Sequence, residues 1–241
     1  MFYADKRFLY LILIVLILMN LMSMSQLEWL VLLLTLPGVL IAITFHEFAH
    51  AYAATKLGDD TPSMQGRLNL NPLSHIDPIG FALLLFARFG WGKPVAINPR
   101  NFDRKYSQTA GEAIVAAAGP IMNFIIAIVL SLVYCAIFKF ANSFVLTQVG
   151  YIVVTVIQYT IIVNLGLGVF NLIPLPPLDG SKILVNFLSY NGKQWIYEHE
   201  QIFYIIFLVL WITGLAGYII SPVLNFLYGG LIHIGMAIFG L

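Results

Sequence analysis

The sequence predicts an all-α polytopic membrane protein with about six transmembrane helices. Of its 241 residues, 60% are hydrophobic and only 10% are charged, and the mean hydropathy is +0.90, well outside the balance of a soluble domain. Apolar runs long enough to cross a bilayer recur along the chain, and Lys and Arg cluster in alternate loops between them. The whole chain, residues 1–241, is therefore predicted to form a single membrane-embedded domain.

The positions of the apolar runs predict the individual spans. A bilayer core about 30 Å thick requires roughly 20 apolar residues in a helix. Runs near this length cover residues 8–24, 27–55, 113–138, 144–170, 202–220 and 223–241. The first run follows two basic residues, as in a secretory signal. Because it lacks an Ala-x-Ala cleavage pattern and is longer than a typical signal core, it is predicted to remain as a span.

The distribution of basic residues predicts the orientation of the spans, because Lys and Arg accumulate in cytoplasmic loops. If the N-terminus lies inside, the inward segments carry eleven of the twelve Lys and Arg residues, and the outward segments carry only Lys139. We therefore expect a multi-pass protein of the cell membrane with both termini in the cytoplasm.

Residues 56–108 form the one long polar stretch and are predicted to be a cytoplasmic-side loop. Repeated X-Pro pairs disfavour helix in this stretch. Residues 81–86 are apolar but too few to span the bilayer, which predicts a re-entrant or interfacial segment. Val95 and Ile97 alternate with smaller or more polar neighbours, which indicates a short β-strand between the second and third spans.

The second predicted span carries the pattern His46-Glu47-Phe48-Ala49-His50. Residues four apart lie on one face of a helix, with Cβ atoms about 5 to 6 Å apart, so both imidazoles can bind one metal ion. Glu47 can then act as general base toward a hydrolytic water. The alternative is a pair of packing histidines with a glutamate that extends toward the membrane surface. A charged residue within a bilayer helix costs about 2.5 to 3.5 kcal/mol, which favours the metal site.

A catalytic zinc ion usually has three protein ligands and one open position, and Asp179 is the candidate for the third ligand. It follows the fourth predicted span, in a stretch whose prolines break the helix. His50 and Asp179 both lie toward the predicted cytoplasmic ends of their helices, so they can meet at one level. The alternative is that Asp179 caps a helix that begins near Ser181. Two histidines and one carboxylate suit one Zn²⁺ per chain.

Three motifs together give the chain a family resemblance. They are His46-Glu47-Phe48-Ala49-His50-Ala51, Ala118-Gly119-Pro120-Ile121-Met122-Asn123, and Asn171-Leu172-Ile173-Pro174 running on to Leu178-Asp179-Gly180. In this order, on three spans, they resemble the site-2 protease family of zinc intramembrane metalloproteases.

The resemblance has several implications for function. It implies that His46, His50 and Asp179 bind zinc and that Glu47 is the catalytic base. It also implies hydrolysis of peptide bonds in or near the transmembrane segments of other membrane proteins, as in regulated intramembrane proteolysis. Many members of the family carry a PDZ domain or a pair of CBS domains, and no stretch of this sequence has room for either.

Four residues are candidates for substrate binding. Asn123 places an amide on the third predicted span, where it either contacts the substrate or developing oxyanion or serves as a hydrogen bond between helices. Asn171 is a second polar candidate. A helical substrate must be unwound before cleavage, so we hypothesise that residues 94–99, through Val95 and Ile97, pair with an extended substrate by strand addition. The resemblance also places this segment near the active site.

Two other functions are compatible with polar residues inside the spans. Intramembrane His, Glu and Asp with broken helices also describe a metal-ion transporter, but the sequence shows no paired repeats of the kind transporters have. A catalytically silent membrane adaptor would usually lack one of the four key residues, and all are present. The net charge of +1 gives no indication of nucleic-acid binding. The expected partners are therefore the lipid bilayer and transmembrane protein substrates.

Overall fold

The computed structural model describes residues 24–87 and 90–241, and helices make up most of this part of the chain. The longer helices are α1 (Gln26–Lys56), α2 (Pro78–Ala87), α3 (Gln108–Phe140), α4 (Gln148–Asn171), α5 (Asp179–Phe187), α6 (Tyr190–Glu198), α7 (Glu200–Ile212) and α8 (Leu215–Phe239). Short helical turns cover Thr61–Met64, Pro72–His75, Pro99–Asn101 and Asn142–Val145. The first predicted span lies outside the described residues.

Four of these helices, α1, α3, α4 and α8, are long and apolar enough to cross a membrane. Their most apolar stretches have mean hydropathies between 1.5 and 2.6. At 1.5 Å per residue, even the shortest of them, α4 with 24 residues, is about 36 Å long. The prediction of an all-α membrane protein is confirmed. The predicted count of six spans is not, since the described residues contain four candidates.

The predicted span at residues 202–220 is divided between two helices. α7 ends at Ile212 after 13 residues, about 20 Å, which is too short to cross the bilayer core. Gly214 then adopts a left-handed conformation with φ of 73°, which glycine does without steric cost, and α8 begins at Leu215. The apolar run continues through this break, so hydropathy alone does not reveal where one helix ends.

Capping residues determine where three of the spans begin. Ser25, Ser107 and Thr147 precede α1, α3 and α4, and the side chain of each accepts a hydrogen bond from a backbone N–H in the first turn. Glu28 completes a capping box by accepting a hydrogen bond from the Ser25 N–H. These caps satisfy N–H groups that a helix leaves unpaired, and so stabilise the ends of the spans.

α1, α3 and α4 pack against one another and form the core that positions the site. A Cβ at Gly38 of α1 would lie 2.8 Å from the Thr160 Cα of α4, so glycine is needed for this close approach. Ala127, Ile161 and Leu165 form a buried apolar cluster between α3 and α4, and side chains of α8 pack against it. The three core helices are therefore held side by side, with their facing residues in contact.

The C-terminus lies beside the end of α3. Lys139 Nζ donates a hydrogen bond of 3.1 Å to the Gly240 carbonyl oxygen, and the rings of Phe140 and Phe239 contact each other. The sequence predicted Lys139 outside and the C-terminus inside, whereas this contact places the two at the same end of α3. α7 is too short to cross, and among the described residues after α4 only α8 is long and apolar enough to do so, so the side on which the C-terminus lies stays a prediction.

The described part of the loop between α2 and α3, residues 90–107, contains no strand. Residues 93–98 have no regular secondary structure, Asn98 is in extended conformation, and the described residues show one isolated antiparallel bridge nearby, between Ile76 and Gly92. The predicted strand at Val95 and Ile97 is therefore wrong as secondary structure, because no second strand runs alongside it. The ten-residue helix α2 covers the segment predicted as re-entrant, and its depth in the membrane stays a prediction.

Candidate metal centre

Three predicted ligands converge at one point. His46 and His50 lie on one face of α1 with their Nε2 atoms 3.0 Å apart, and Asp179 Oδ2 lies 3.1 Å from the first and 3.2 Å from the second. Both histidines are buried. Ligand atoms about 2.0 to 2.2 Å from a tetrahedral zinc ion lie about 3.3 Å from one another, so this nearly equilateral triangle fits one zinc ion. The chemistry of the donor set, two imidazoles and a carboxylate, fits zinc as well.

The protein fixes the orientation of both imidazole rings. His46 Nδ1 lies 2.7 Å from Asn123 Oδ1, and His50 Nδ1 lies 2.7 Å from the Val115 carbonyl oxygen. Both partners are acceptors, so each Nδ1 carries the proton and each Nε2 keeps its lone pair. The two lone pairs are therefore available at the centre of the triangle.

Hydrogen bonds within the core settle which atom of the Asn123 amide faces His46. Asn123 Nδ2 donates to the Ala42 carbonyl oxygen and to Asn164 Oδ1, each at 3.0 Å, so its oxygen must point to the histidine. Asn164 in turn donates to the Thr160 carbonyl oxygen at 2.8 Å. Asn123 is fully buried, and both its amide hydrogens are used within the protein. The sequence left two roles open for Asn123, a hydrogen bond between helices and a contact to the substrate. The contacts within the core favour the first role, with His46 as the residue that Asn123 orients.

Asp179 reaches the histidines from the first turn of α5. The chain leaves α4 at Asn171, and Leu178 is in extended conformation where α5 begins. The N-cap residue is Leu178 and no side chain caps this helix, so the alternative role of Asp179 as a cap is wrong. Asp179 Oδ2 is buried and has no hydrogen-bond partner in the described part of the chain. A buried carboxylate oxygen without a donor is a group that a cation would satisfy.

Gly119 of α3 lies directly against the two imidazoles. A Cβ at this position would lie 2.5 Å from His50 Nε2 and 2.6 Å from His46 Cε1. Such distances are far inside van der Waals contact, so any side chain would fill the space at the ligand atoms. In the sequence, Gly119 is simply one residue of the second motif. The structure adds that the glycine keeps the metal centre open.

Glu47 lies in the same cavity as the three ligands. Its Oε2 atom accepts a hydrogen bond of 3.2 Å from the Val95 N–H, which ties the carboxylate to the segment at residues 93–98. The cavity has a volume of about 660 Å³ and is only partly enclosed. That volume is within the range of about 300 to 1,000 Å³ typical of ligand sites. An acid–base group and a metal site therefore share one accessible chamber.

The other predicted substrate contacts divide into two groups. Asn171, Val95 and Ile97 line the cavity, whereas Asn123 lies behind His46. The sequence missed several polar residues that also line the chamber: Glu112, Lys182 and Tyr204. It also missed Asn164, although a buried amide within an apolar span is a signal that could have been recognised.

Comparison with known proteins agrees with this chemistry. Residues 137–214 match peptidase family M50. YwhC of Bacillus subtilis, named as a candidate zinc metalloprotease, is 40% identical over 193 residues, which cover 78% of this chain and 84% of the relative. Rip2 of Mycolicibacterium smegmatis, named in the same way, is 29% identical over 187 residues, which cover 76% of this chain and 68% of the relative. No solved structure matches the chain significantly.

The fold and the site together define a membrane zinc metalloprotease. The chain belongs to peptidase family M50, the site-2 protease family. The resemblance expected from the three motifs is thus confirmed. Membership of a peptidase family favours proteolysis over the two alternatives, metal-ion transport and a silent adaptor.

Proposed function

We propose that this chain cleaves transmembrane proteins within the bilayer, with His46, His50 and Asp179 as ligands of one zinc ion and Glu47 as general base. The observation that carries the proposal is the convergence of three ligand atoms in the cavity that also holds Glu47. His50 lies six residues before the end of α1, about 9 Å along the helix axis. This depth supports a site below the membrane surface.

The residues have distinct tasks in hydrolysis. When bound, zinc supplies a Lewis acid that polarises the scissile carbonyl and makes water nucleophilic near neutral pH. Glu47 removes a proton from the attacking water and later delivers it to the leaving amine. The Val95 N–H orients the Glu47 carboxylate while it is charged.

The substrate is expected to bind in extended form. The backbone at Val95 and Ile97 borders the cavity beside Glu47, which supports strand addition by an unwound transmembrane segment. Asn171, at the end of α4, also lines the cavity and is proposed as a polar contact to the substrate backbone. The chamber is lined mainly by apolar side chains, which suits a segment drawn from a bilayer.

Metal removal tests the proposed function directly. The purified chain in liposomes is expected to cleave a single-span reporter protein, to lose essentially all cleavage after zinc is removed by a chelator, and to regain it when zinc is returned. The reporter fragments are measured on gels, and bound zinc by elemental analysis. A chain that carries zinc across the liposome membrane but cleaves no reporter would instead support the transport alternative.

We also propose that the C-terminus lies outside the cell, on the side opposite to the loop at residues 56–108. The hydrogen bond between Lys139 and Gly240 supports this, because α3 begins at that loop and Lys139 lies at its other end. A cysteine added after Leu241 is expected to react with a membrane-impermeant maleimide in intact spheroplasts. Cysteine in place of Lys105 should react only after lysis. Background is low because the single native cysteine, Cys135, is buried. Reaction of the C-terminal cysteine only after lysis would restore the cytoplasmic placement.

A further inference from the structure

The segment at residues 93–98 is held by hydrogen bonds at both ends and in its middle. At its start, the Lys93 N–H donates a hydrogen bond of 2.8 Å to the His75 carbonyl oxygen, and the Arg67 guanidinium donates to the Lys93 carbonyl oxygen. In its middle, the Val95 N–H reaches Glu47. At its end, the Asn98 N–H donates to Asp59 Oδ2 at 2.6 Å. The segment is thus attached to its surroundings by backbone groups rather than by a neighbouring strand.

Asp59 is the charged group at the far end of this segment. Its side chain is fully buried, and it accepts hydrogen bonds from four donors. Oδ1 accepts from the Thr61 N–H at 3.1 Å, from the Thr61 hydroxyl at 2.5 Å and from Asn101 Nδ2 at 2.9 Å, while Oδ2 accepts from the Asn98 N–H. Burial raises the pKa of the Asp59 carboxyl, but these donors outweigh burial and lower it. The carboxylate is therefore charged at neutral pH and fully occupied by its neighbours.

The position of Asp59 links the segment to the catalytic helix. It lies three residues beyond Lys56, the last residue of α1, and the Leu57 carbonyl oxygen also accepts a hydrogen bond of 2.7 Å from the Asp103 N–H. The same helix carries Glu47 and the two histidines. A buried carboxylate attached to the end of α1 therefore fixes the distance between that helix and the backbone at Asn98.

We propose that Asp59 is a positioning residue for substrate binding, which holds the Asn98 end of the segment at residues 93–98 in place relative to Glu47. This inference rests on the proposed function, because it assumes that the segment binds an unwound substrate. Charged side chains hold both ends of the segment by hydrogen bonds, Arg67 at its start and Asp59 at its end. These bonds fix the backbone of the segment without a partner strand. We propose that the backbone between these two ends receives one strand from the substrate.

The variant Asp59→Asn tests this role with almost no change in shape. An asparagine oxygen in place of Oδ1 keeps the bonds from Thr61 and Asn101, but its NH₂ group then faces the Asn98 N–H, so this one hydrogen bond is lost. Loss of a hydrogen bond to a charged group changes an equilibrium constant roughly tenfold or more, so KM for a transmembrane reporter should rise about tenfold. Zinc content and kcat should stay within about twofold of wild type.

Asp60→Asn is the matched control, because Asp60 is the adjacent residue, is exposed and makes no capping hydrogen bond with its side chain. Hydrogen exchange provides a readout without substrate: amides of residues 95–101 should exchange faster in Asp59→Asn than in Asp60→Asn. If Asp59→Asn folds poorly, Asn101→Ala, which removes another Asp59 contact, should show the same change in exchange and a smaller rise in KM.

The outcomes separate this inference from the proposed function. A wild-type chain that binds zinc yet cleaves no transmembrane reporter overturns the proposed function. A wild-type chain that cleaves, with Asp59→Asn matching Asp60→Asn in KM and in exchange, overturns only the role of Asp59. Loss of zinc or a fall in kcat with unchanged KM would also overturn it, since either would place the effect at the metal centre.

Discussion

Glu47→Gln is expected to abolish cleavage while leaving zinc bound. Glutamine keeps the size of the side chain and can still accept the Val95 N–H, but it cannot take up a proton. General acid–base groups contribute about 10²- to 10⁴-fold to rate, so kcat for a transmembrane reporter should fall by about that factor. Zinc content should equal that of wild type, because Glu47 is not one of the three converging groups. Cleavage kinetics and elemental analysis on the same preparation measure both quantities.

Glu28→Gln is the matched control for this substitution. Glu28 lies at the other end of α1, where it is part of the capping box with Ser25, and glutamine can fill that position too. Asp179→Asn provides the opposite pattern, since weakening a ligand should reduce zinc content together with cleavage. Cleavage by Glu47→Gln at the wild-type rate would remove Glu47 from the mechanism. Full zinc content in Asp179→Asn would remove Asp179 from the ligand set.

The sequence predicted the three residues that converge as a candidate metal site, because spacing and composition indicate where they lie. Two histidines four residues apart must share one face of a helix, whatever surrounds the helix. Asp179 is 129 residues away from His50, but it follows a proline-rich break at the end of a span, which left few other candidates. These features depend on spacing and composition, which are readable in a single chain.

Other features depend on tertiary contacts that a single sequence does not encode locally. Val95 and Ile97 have the alternation of a strand, yet extended backbone becomes a strand only beside a partner, and the described residues place no strand there. The hydrogen bond from His46 to Asn123 joins α1 to α3, and the two residues are 77 positions apart in the sequence. The break at Gly214 lies within a continuous apolar run, and this break changes the side on which the C-terminus is expected.

Gly119→Ala is expected to weaken zinc binding although it adds a single methyl group at a position that binds nothing. The new Cβ would lie 2.5 Å from His50 Nε2, so either the imidazole or the backbone of α3 must move. The imidazole and α3 cannot separate freely, because His50 Nδ1 is hydrogen-bonded to the Val115 carbonyl oxygen, which belongs to α3. Overpacking at such a site costs about 1 to 3 kcal/mol, which corresponds to roughly 5- to 150-fold in affinity. Zinc affinity is measured by competition with a chromophoric chelator, and cleavage should fall in parallel.

Gly166→Ala makes the same change on α4 and is the control, since among the described residues no atom lies within 4 Å of a Cβ at that position, apart from its two neighbours and the backbone of its own helix. Both glycines lie within membrane helices, so the effect of alanine on helix formation is common to both variants. Gly166→Ala should therefore retain wild-type zinc affinity and cleavage. Equal zinc affinity in the two variants would mean that α3 can shift away from the imidazoles, and the close contact between Gly119 and the metal centre would then have no part in zinc binding.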